Sequence, residues 1–278
     1  NFLGEISGSR EIVVISGRCY EREAVPYKAL DSLIDALSQY LTRLPAEQAD
    51  ALMPRDVLAL ARLFPVLRRV DAVAGARRFV LEIPDVHELR RRAFGALREL
   101  IARLADRKSV VFFIDDLHWG DLDSAALLGE LLRPPDAPPL LLIATYRTEE
   151  AATSPLLKKL FSSPPSYDTR EMKLDELSFE EARRLAAALL LDDGDGNEGA
   201  AEWIARESAG NPFFIDELAR YTLAGETPQP GASGDPAATS PTQATLDEVI
   251  RARLSWAPPT ARRLLEIVAV AGRPLDIA

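Results

Sequence analysis

The 278-residue chain is poor in the residues that build metal clusters and disulfide frameworks: one cysteine, two histidines and two methionines, with 7% aromatics. A lone Cys19 excludes an intramolecular disulfide framework and suits a reducing compartment, so a cytoplasmic location is expected. Two histidines and one cysteine are too few for the usual zinc sites. No apolar run approaches the roughly 20 residues that cross a bilayer, and signal-peptide architecture is absent, so no membrane partner is expected. Positive charge is also short. Lys and Arg number 33 against 43 Asp and Glu, a net charge of −10, which disfavours a general nucleic-acid surface. The one local basic run, Arg90-Arg91-Arg92, lies in the strongly helical stretch Val86–Arg107 and reads as the solvated face of a helix.

What is present is 47% hydrophobic content, enough for a sizeable core and for one large domain with a smaller companion. Glu11–Ser16 is a short β-branched run stopped by Gly17, a strand. Ala29–Leu44 places Leu30, Leu33, Ile34, Leu37 and Leu41 at helical spacing. Pro54–Leu67 reads as helical and apolar, broken by Pro65, and Val86–Leu104 as a longer amphipathic helix. Val110–Ile114 and Leu140–Thr145 are buried strands, with a helix from about Ser124 to Leu132 between them, capped by Asp121 or Asp123. Strands alternating with helices predict an α/β parallel sheet.

The character changes after Pro164-Pro165. Arg170–Leu174 is a candidate last strand. Ser178-Phe179-Glu180-Glu181 is a capping box opening a helix to about Leu191. Further helices are expected at Gly199–Ala209 and from Pro212 to Leu223. Ala224–Thr245 is rich in Gly, Pro, Ser and Thr and predicts a mobile linker. Helical periodicity resumes at Leu246–Ile250 and Thr260–Val270. Asp193-Gly194-Asp195-Gly196-Asn197 invites a calcium-loop reading, but the sixth and twelfth positions are Glu198 and Ile204 where Gly and Glu are needed.

The most informative stretch is Val110–Trp119, five apolar residues running into Asp115-Asp116-Leu117-His118-Trp119. Carboxylates at the C-terminal end of a parallel strand sit where open α/β sheets bind ligands. In ATP-hydrolysing P-loop proteins such a strand end is the Walker-B element, whose first Asp holds Mg²⁺ while a second acidic group orients water. The competing reading is a core strand ending at a polar turn. No G-x-x-x-x-G-K-[ST] phosphate cradle occurs in the chain. With the abrupt opening Asn1-Phe2-Leu3-Gly4, this predicts a fragment that begins just beyond a phosphate loop.

Four motifs occur in one order: Arg18-Cys19-Tyr20-Glu21-Arg22-Glu23-Ala24-Val25-Pro26-Tyr27, then Asp115-Asp116-Leu117-His118-Trp119-x-Asp121, Thr145-Tyr146-Arg147, and Gly210-Asn211-Pro212-Phe213-Phe214. Together they resemble the AAA-type ATPase module of the signal-transduction ATPases with numerous domains. In bacteria these modules accompany Ser/Thr kinase, nucleotide-cyclase or helix-turn-helix domains, and the early segment looks closest to modules that follow Ser/Thr kinases. The resemblance covers roughly residues 1–225. It implies a P-loop NTPase-like core lacking its phosphate-loop strand at 1–175, a helical lid at 176–225, a linker at 226–245, and the start of a winged-helix-like domain at 246–278.

By position, the resemblance assigns Mg²⁺ to Asp115, polarisation of the hydrolytic water to Asp116, γ-phosphate sensing to Thr145 and Arg147, and packing near the adenine to Pro212, following Gly210. Each has a plainer alternative. Arg147 reads equally as a surface loop arginine, and Gly210-Asn211-Pro212 as a helix stop and start. His118-Trp119 reads as a structural pair, and Cys19 as an inert thiol despite Arg18 and Arg22 nearby. The implied function is an ATP-dependent regulatory switch that uses ATP and Mg²⁺ in the parent protein and acts on neighbouring effector domains. The fragment itself is expected to hold no nucleotide tightly. The alternative is a non-catalytic interaction module that keeps the fold; a DNA-binding role rests only on the tail. Loss of the phosphate-loop strand is expected to leave Leu140–Thr145 an open edge. Either an inward shift of the last strand or a second chain would then repair it.

Overall fold

The computed structural model describes residues 2–9, 11–21, 25–76, 85–162, 167–190, 198–223, 254 and 257–271. They form two compact units, Asn1–Arg170 and Glu171–Ala278.

The first unit is α/β. Helix α1 (Phe2–Ser7) leads into β1 (Ile12–Arg18). Then come α2 (Lys28–Thr42), α3 (Ala46–Leu52), α4 (Val57–Leu63), a 3₁₀ turn at Pro65–Arg69, α5 (Asp71–Ala74) and α6 (Val86–Ala105). Strand β2 (Ser109–Asp115), α7 (Leu122–Leu131), β3 (Leu140–Ala144) and α8 (Pro155–Phe161) complete it. The sheet is parallel in the order β1-β2-β3. Its register sets Arg18 opposite Asp115 and Ile114 opposite Ala144, so all three C-terminal strand ends meet at one edge.

The helical periodicity is realised in the core. Leu30, Leu33, Ile34, Leu37 and Leu41 of α2 are all at most 1% exposed, each side chain contributing about 1.5–3 kcal/mol of burial. The start of α2 is held from another helix. Tyr27, in the left-handed region at φ 62°, donates its N–H to Asp121 Oδ2 at 2.8 Å, and Ala29 donates to Ser124 Oγ at 3.1 Å. Asp121, not Asp123, caps α7, accepting from Ser124 N–H with its other oxygen. The basic run is consumed locally. Arg91 and Arg92 pair with Glu88, and Arg90 pairs with Asp123.

Three expectations are corrected. Gly17 does not stop β1, which runs through it to Arg18. A Cβ there would lie 2.6 Å from the Leu33 backbone nitrogen, so glycine is what lets α2 sit against the strand. Leu140–Thr145 is not a buried strand: no residue of β3 is buried and Leu141 is 50% exposed, because β3 has no partner on its outer side among the described residues. Arg170–Leu174 forms no strand and is exposed throughout. Among the described residues it pairs with no strand of the sheet, so it joins no ladder and the inward repair of the sheet does not occur.

The second unit packs α9 (Phe179–Leu189), α10 (Glu198–Glu207) and α11 (Pro212–Leu223) around Ala182, Ala186, Trp203, Ile204, Ile215 and Leu218. The capping box is formed in full. Glu181 N–H donates to Ser178 Oγ, and Ser178 N–H donates to Glu181 Oε2. Helix α12 (Pro259–Ala271) exposes Leu264, Leu265 and Ile267. The linker, Asp193–Asn197 and Leu246–Ile250 lie outside the described residues. Among the described residues no helix is long and apolar enough to cross a membrane.

Candidate functional site

Three strands deliver polar groups to one edge of the sheet. Arg18 ends β1, Asp115 ends β2, and Thr145 follows β3. The apolar run of β2 explains this placement. Val110, Val111, Phe112 and Ile114 are buried, with Phe112 and Ile114 at 0% exposure. The first residues that tolerate water, the carboxylates, therefore emerge where the strand stops.

The turn after β2 is sharp. Asp116 adopts φ 57°, ψ 39°, a left-handed conformation that Asp accepts more readily than most residues and that still costs on the order of 1–3 kcal/mol. The chain then makes a 3₁₀ turn at Leu117–Trp119 and passes Gly120, where any Cβ would collide with Leu156 of α8.

Thr145 ties the Asp115 carboxylate to the Asp116 backbone. Its hydroxyl donates to Asp115 Oδ1 at 2.6 Å and accepts from Asp116 N–H at 3.1 Å. Leu117 N–H donates to Thr145 O at 2.8 Å, and Thr145 N–H to Ile114 O at 3.0 Å. On the other side Arg18 donates from Nε and Nη2 to Asp116 Oδ2, at 2.9 and 2.7 Å, with Nε 3.7 Å from Asp115 Oδ2. Asp116, first by hydrogen bonding and then by its charge, raises the Arg18 guanidinium above its ordinary range. Arg18 also lies over the exposed Tyr20 ring, 6.0 Å from its centroid.

The sequence-expected residues divide accordingly. Asp115, Asp116 and Thr145 form one hydrogen-bonded cluster. Arg147 is two residues beyond Thr145 with an exposed side chain, and its backbone N–H donates to His118 Nδ1 at 3.4 Å. Gly210 and Pro212 belong to the second unit. Gly210 has φ 79° and accepts from Leu177 N–H at 2.9 Å, and Pro212 opens α11, so a helix stop and start accounts for both. Arg18 was missed as a site residue. Its place at the end of the strand that pairs with Val110–Asp115 was the available signal. Cys19 is a buried thiol whose N–H donates to Asp115 O.

A carboxylate pair with a hydroxyl is a hard-oxygen donor set, and Mg²⁺ is ordinarily held by one or two carboxylates plus phosphate oxygens and waters. The donors fit that ion as part of a metal–nucleotide complex. They do not form a protein-only cage: among the described residues no three metal-binding side chains come together. A wide cleft of about 1600 Å³ lies elsewhere, among α2 to α5, and carries none of this chemistry.

Comparison with known proteins bears on the family of the chain. The AAA ATPase domain profile matches residues 2–143. An uncharacterized protein of Rhizobium meliloti (strain 1021) is 30% identical over 198 residues, 69% of this chain but 18% of its own length. The chain thus spans less than a fifth of that relative. No solved structure matches. The matched profile covers just over half of the chain and the three-stranded parallel sheet fits it: the chain belongs to the AAA ATPase domain family.

Proposed function

We propose that the chain is the nucleotide-responsive regulatory module of a longer signalling protein, with its chemistry at the Asp115–Asp116–Thr145 edge. The observation that carries this is the meeting of two carboxylates and a hydroxyl where three parallel strands end. Asp115 holds Mg²⁺ brought by ATP, and Asp116 accepts a hydrogen bond from the attacking water at its carboxylate. Arg147 offers an exposed guanidinium to phosphate oxygens, a role that suits its charged planar fork. Gly210 and Pro212 are assigned to the adenine end on the motif resemblance alone. The output is a change of geometry passed to neighbouring effector domains, a Ser/Thr kinase being the favoured one. The expected location is the cytoplasm.

The second reading is an interaction module without turnover. The Arg18 grip on Asp116 favours it, because a carboxylate engaged by a guanidinium is less available to water.

The test is Mg²⁺-dependent ATP binding and turnover by the longer protein carrying an intact phosphate loop. Binding that weakens in Asp115→Asn, with slow turnover in the wild type, supports the switch. Binding without any turnover favours the second reading. Absence of nucleotide binding overturns the switch and likewise favours the second reading.

A further inference from the structure

His118 is 3% exposed, and the switch proposed above leaves it without a task. Its two ring nitrogens are in opposite situations. Nδ1 accepts the backbone N–H of Arg147, at 3.4 Å. Nε2 is buried and, among the described residues, has no hydrogen-bond partner. A nitrogen that accepts carries no hydrogen, so the ring N–H sits on Nε2. That donor, left unpaired, is destabilising. The ring packs against Trp119, centroids 4.7 Å apart. A phenyl ring would provide the same packing without the orphan donor. The position is therefore not optimised for packing, and what distinguishes the imidazole is its acceptor.

That acceptor joins two loops. His118 lies on the turn that begins with Asp115-Asp116, and Arg147 on the segment that leaves β3 through Thr145. The hydrogen bonds of Thr145 fasten the near end of the second loop to the first. Arg147 is beyond them. Its N–H bond to His118 carries the fastening past Thr145. On its far side Arg147 O accepts from Glu150 N–H at 3.1 Å, within the 3₁₀ turn at Thr148–Glu150.

We infer that His118 is a positioning residue, whose Nδ1 holds the Arg147 backbone in register with the acidic turn and so fixes where the Arg147 guanidinium is presented. This rests on the phosphate-contacting role proposed for Arg147. The tether itself is testable without it.

Two variants separate acceptor from ring. His118→Asn puts an amide oxygen near the Nδ1 position and loses the ring. His118→Phe keeps the ring and loses the acceptor. Amide hydrogen exchange of this chain, read at Arg147 well below each variant's melting temperature, is expected to accelerate in His118→Phe and stay near wild type in His118→Asn. In the longer protein, His118→Phe is expected to lower kcat about 10- to 100-fold, with KM for ATP little changed, because a misplaced contact group costs the transition state more than the ground state. His118→Asn restores most of kcat. Unchanged exchange at Arg147 in His118→Phe overturns the tether. Full activity in His118→Phe, or equal loss in both variants, overturns the positioning role. A wild-type protein without turnover sinks the proposed function instead, and the exchange pattern then still decides the tether.

Discussion

Arg18 grips Asp116 across the ends of two neighbouring strands, Nε and Nη2 both donating to Oδ2 at 2.9 and 2.7 Å. The residues are 98 apart in sequence and adjacent because β1 and β2 pair in parallel, with Arg18 opposite Asp115. The Arg18 side chain is 56% exposed, so the pair contributes little to stability. Its consequence is orientation: the grip and the left-handed backbone at Asp116 together fix where that carboxylate points.

Asp116→Asn in the longer protein removes a charge and an acceptor from the carboxylate that the proposed function assigns to polarising water. ATP binding is expected to persist while kcat falls on the order of 10²-fold or more. Turnover assays beside equilibrium binding check this, and equal turnover by wild type and variant contradicts the assigned role.

Gly17→Ala tests the approach of α2 to β1. The new methyl group meets Leu33 N at 2.6 Å and Ser32 Oγ at 2.7 Å. Ser32 Oγ both accepts from Arg18 N–H and donates to Arg18 O, each at 2.8 Å, so it cannot retreat without breaking bonds. A loss of about 1–3 kcal/mol is expected, read as a lowered urea midpoint. An unchanged midpoint would mean that the helix shifts freely.

Glu88 has an acid signature. Hydrogen bonds from Arg91, then from Arg92, lower its carboxyl from 4.5 to about 2. A depressed folded-state value contributes stability above pH 4.5 that is lost as pH falls toward 2. Side-chain NMR titration should give a midpoint near 2 at low salt. The midpoint should rise at about 1 M salt, where the Debye length is ~3 Å. A midpoint in the ordinary carboxyl range at low salt would show the pairs to be absent in solution.

The outer edge of β3 is predicted to recruit a strand. Leu142, Ile143 and Ala144 are only half-buried, and Leu141 is 50% exposed. An apolar edge with unpaired N–H and C=O groups invites pairing with another chain. The chain by itself is therefore expected to self-associate, with a solution mass above 30.5 kDa by light scattering. A stable monomer at high concentration, with rapid amide exchange along β3, would count against this.

Local periodicity in the sequence by itself determined α2, β2 and the capping box at Ser178. Each depends on spacing within a single segment: the leucine stripe from Leu30 to Leu41, the apolar run ending at Asp115, and the Ser178–Glu181 reciprocity. The acidic strand end was legible for the same reason. Partnerships were not. Whether Arg170–Leu174 becomes a strand depends on a neighbouring strand rather than on its own residues, and among the described residues it pairs with none. Gly17 reads locally as a stop, yet the arrival of α2 makes it a point of close packing. The burial of β3 depends on whether a strand lies beside it. Arg18 on Asp116 and His118 on Arg147 are contacts between strand ends far apart in the chain. Local preference dictates elements because their hydrogen bonds and side-chain spacing repeat over a few residues. Sheet order and long-range contacts decide partners, because a strand, a close approach or an ion pair exists only when a second segment arrives to complete it.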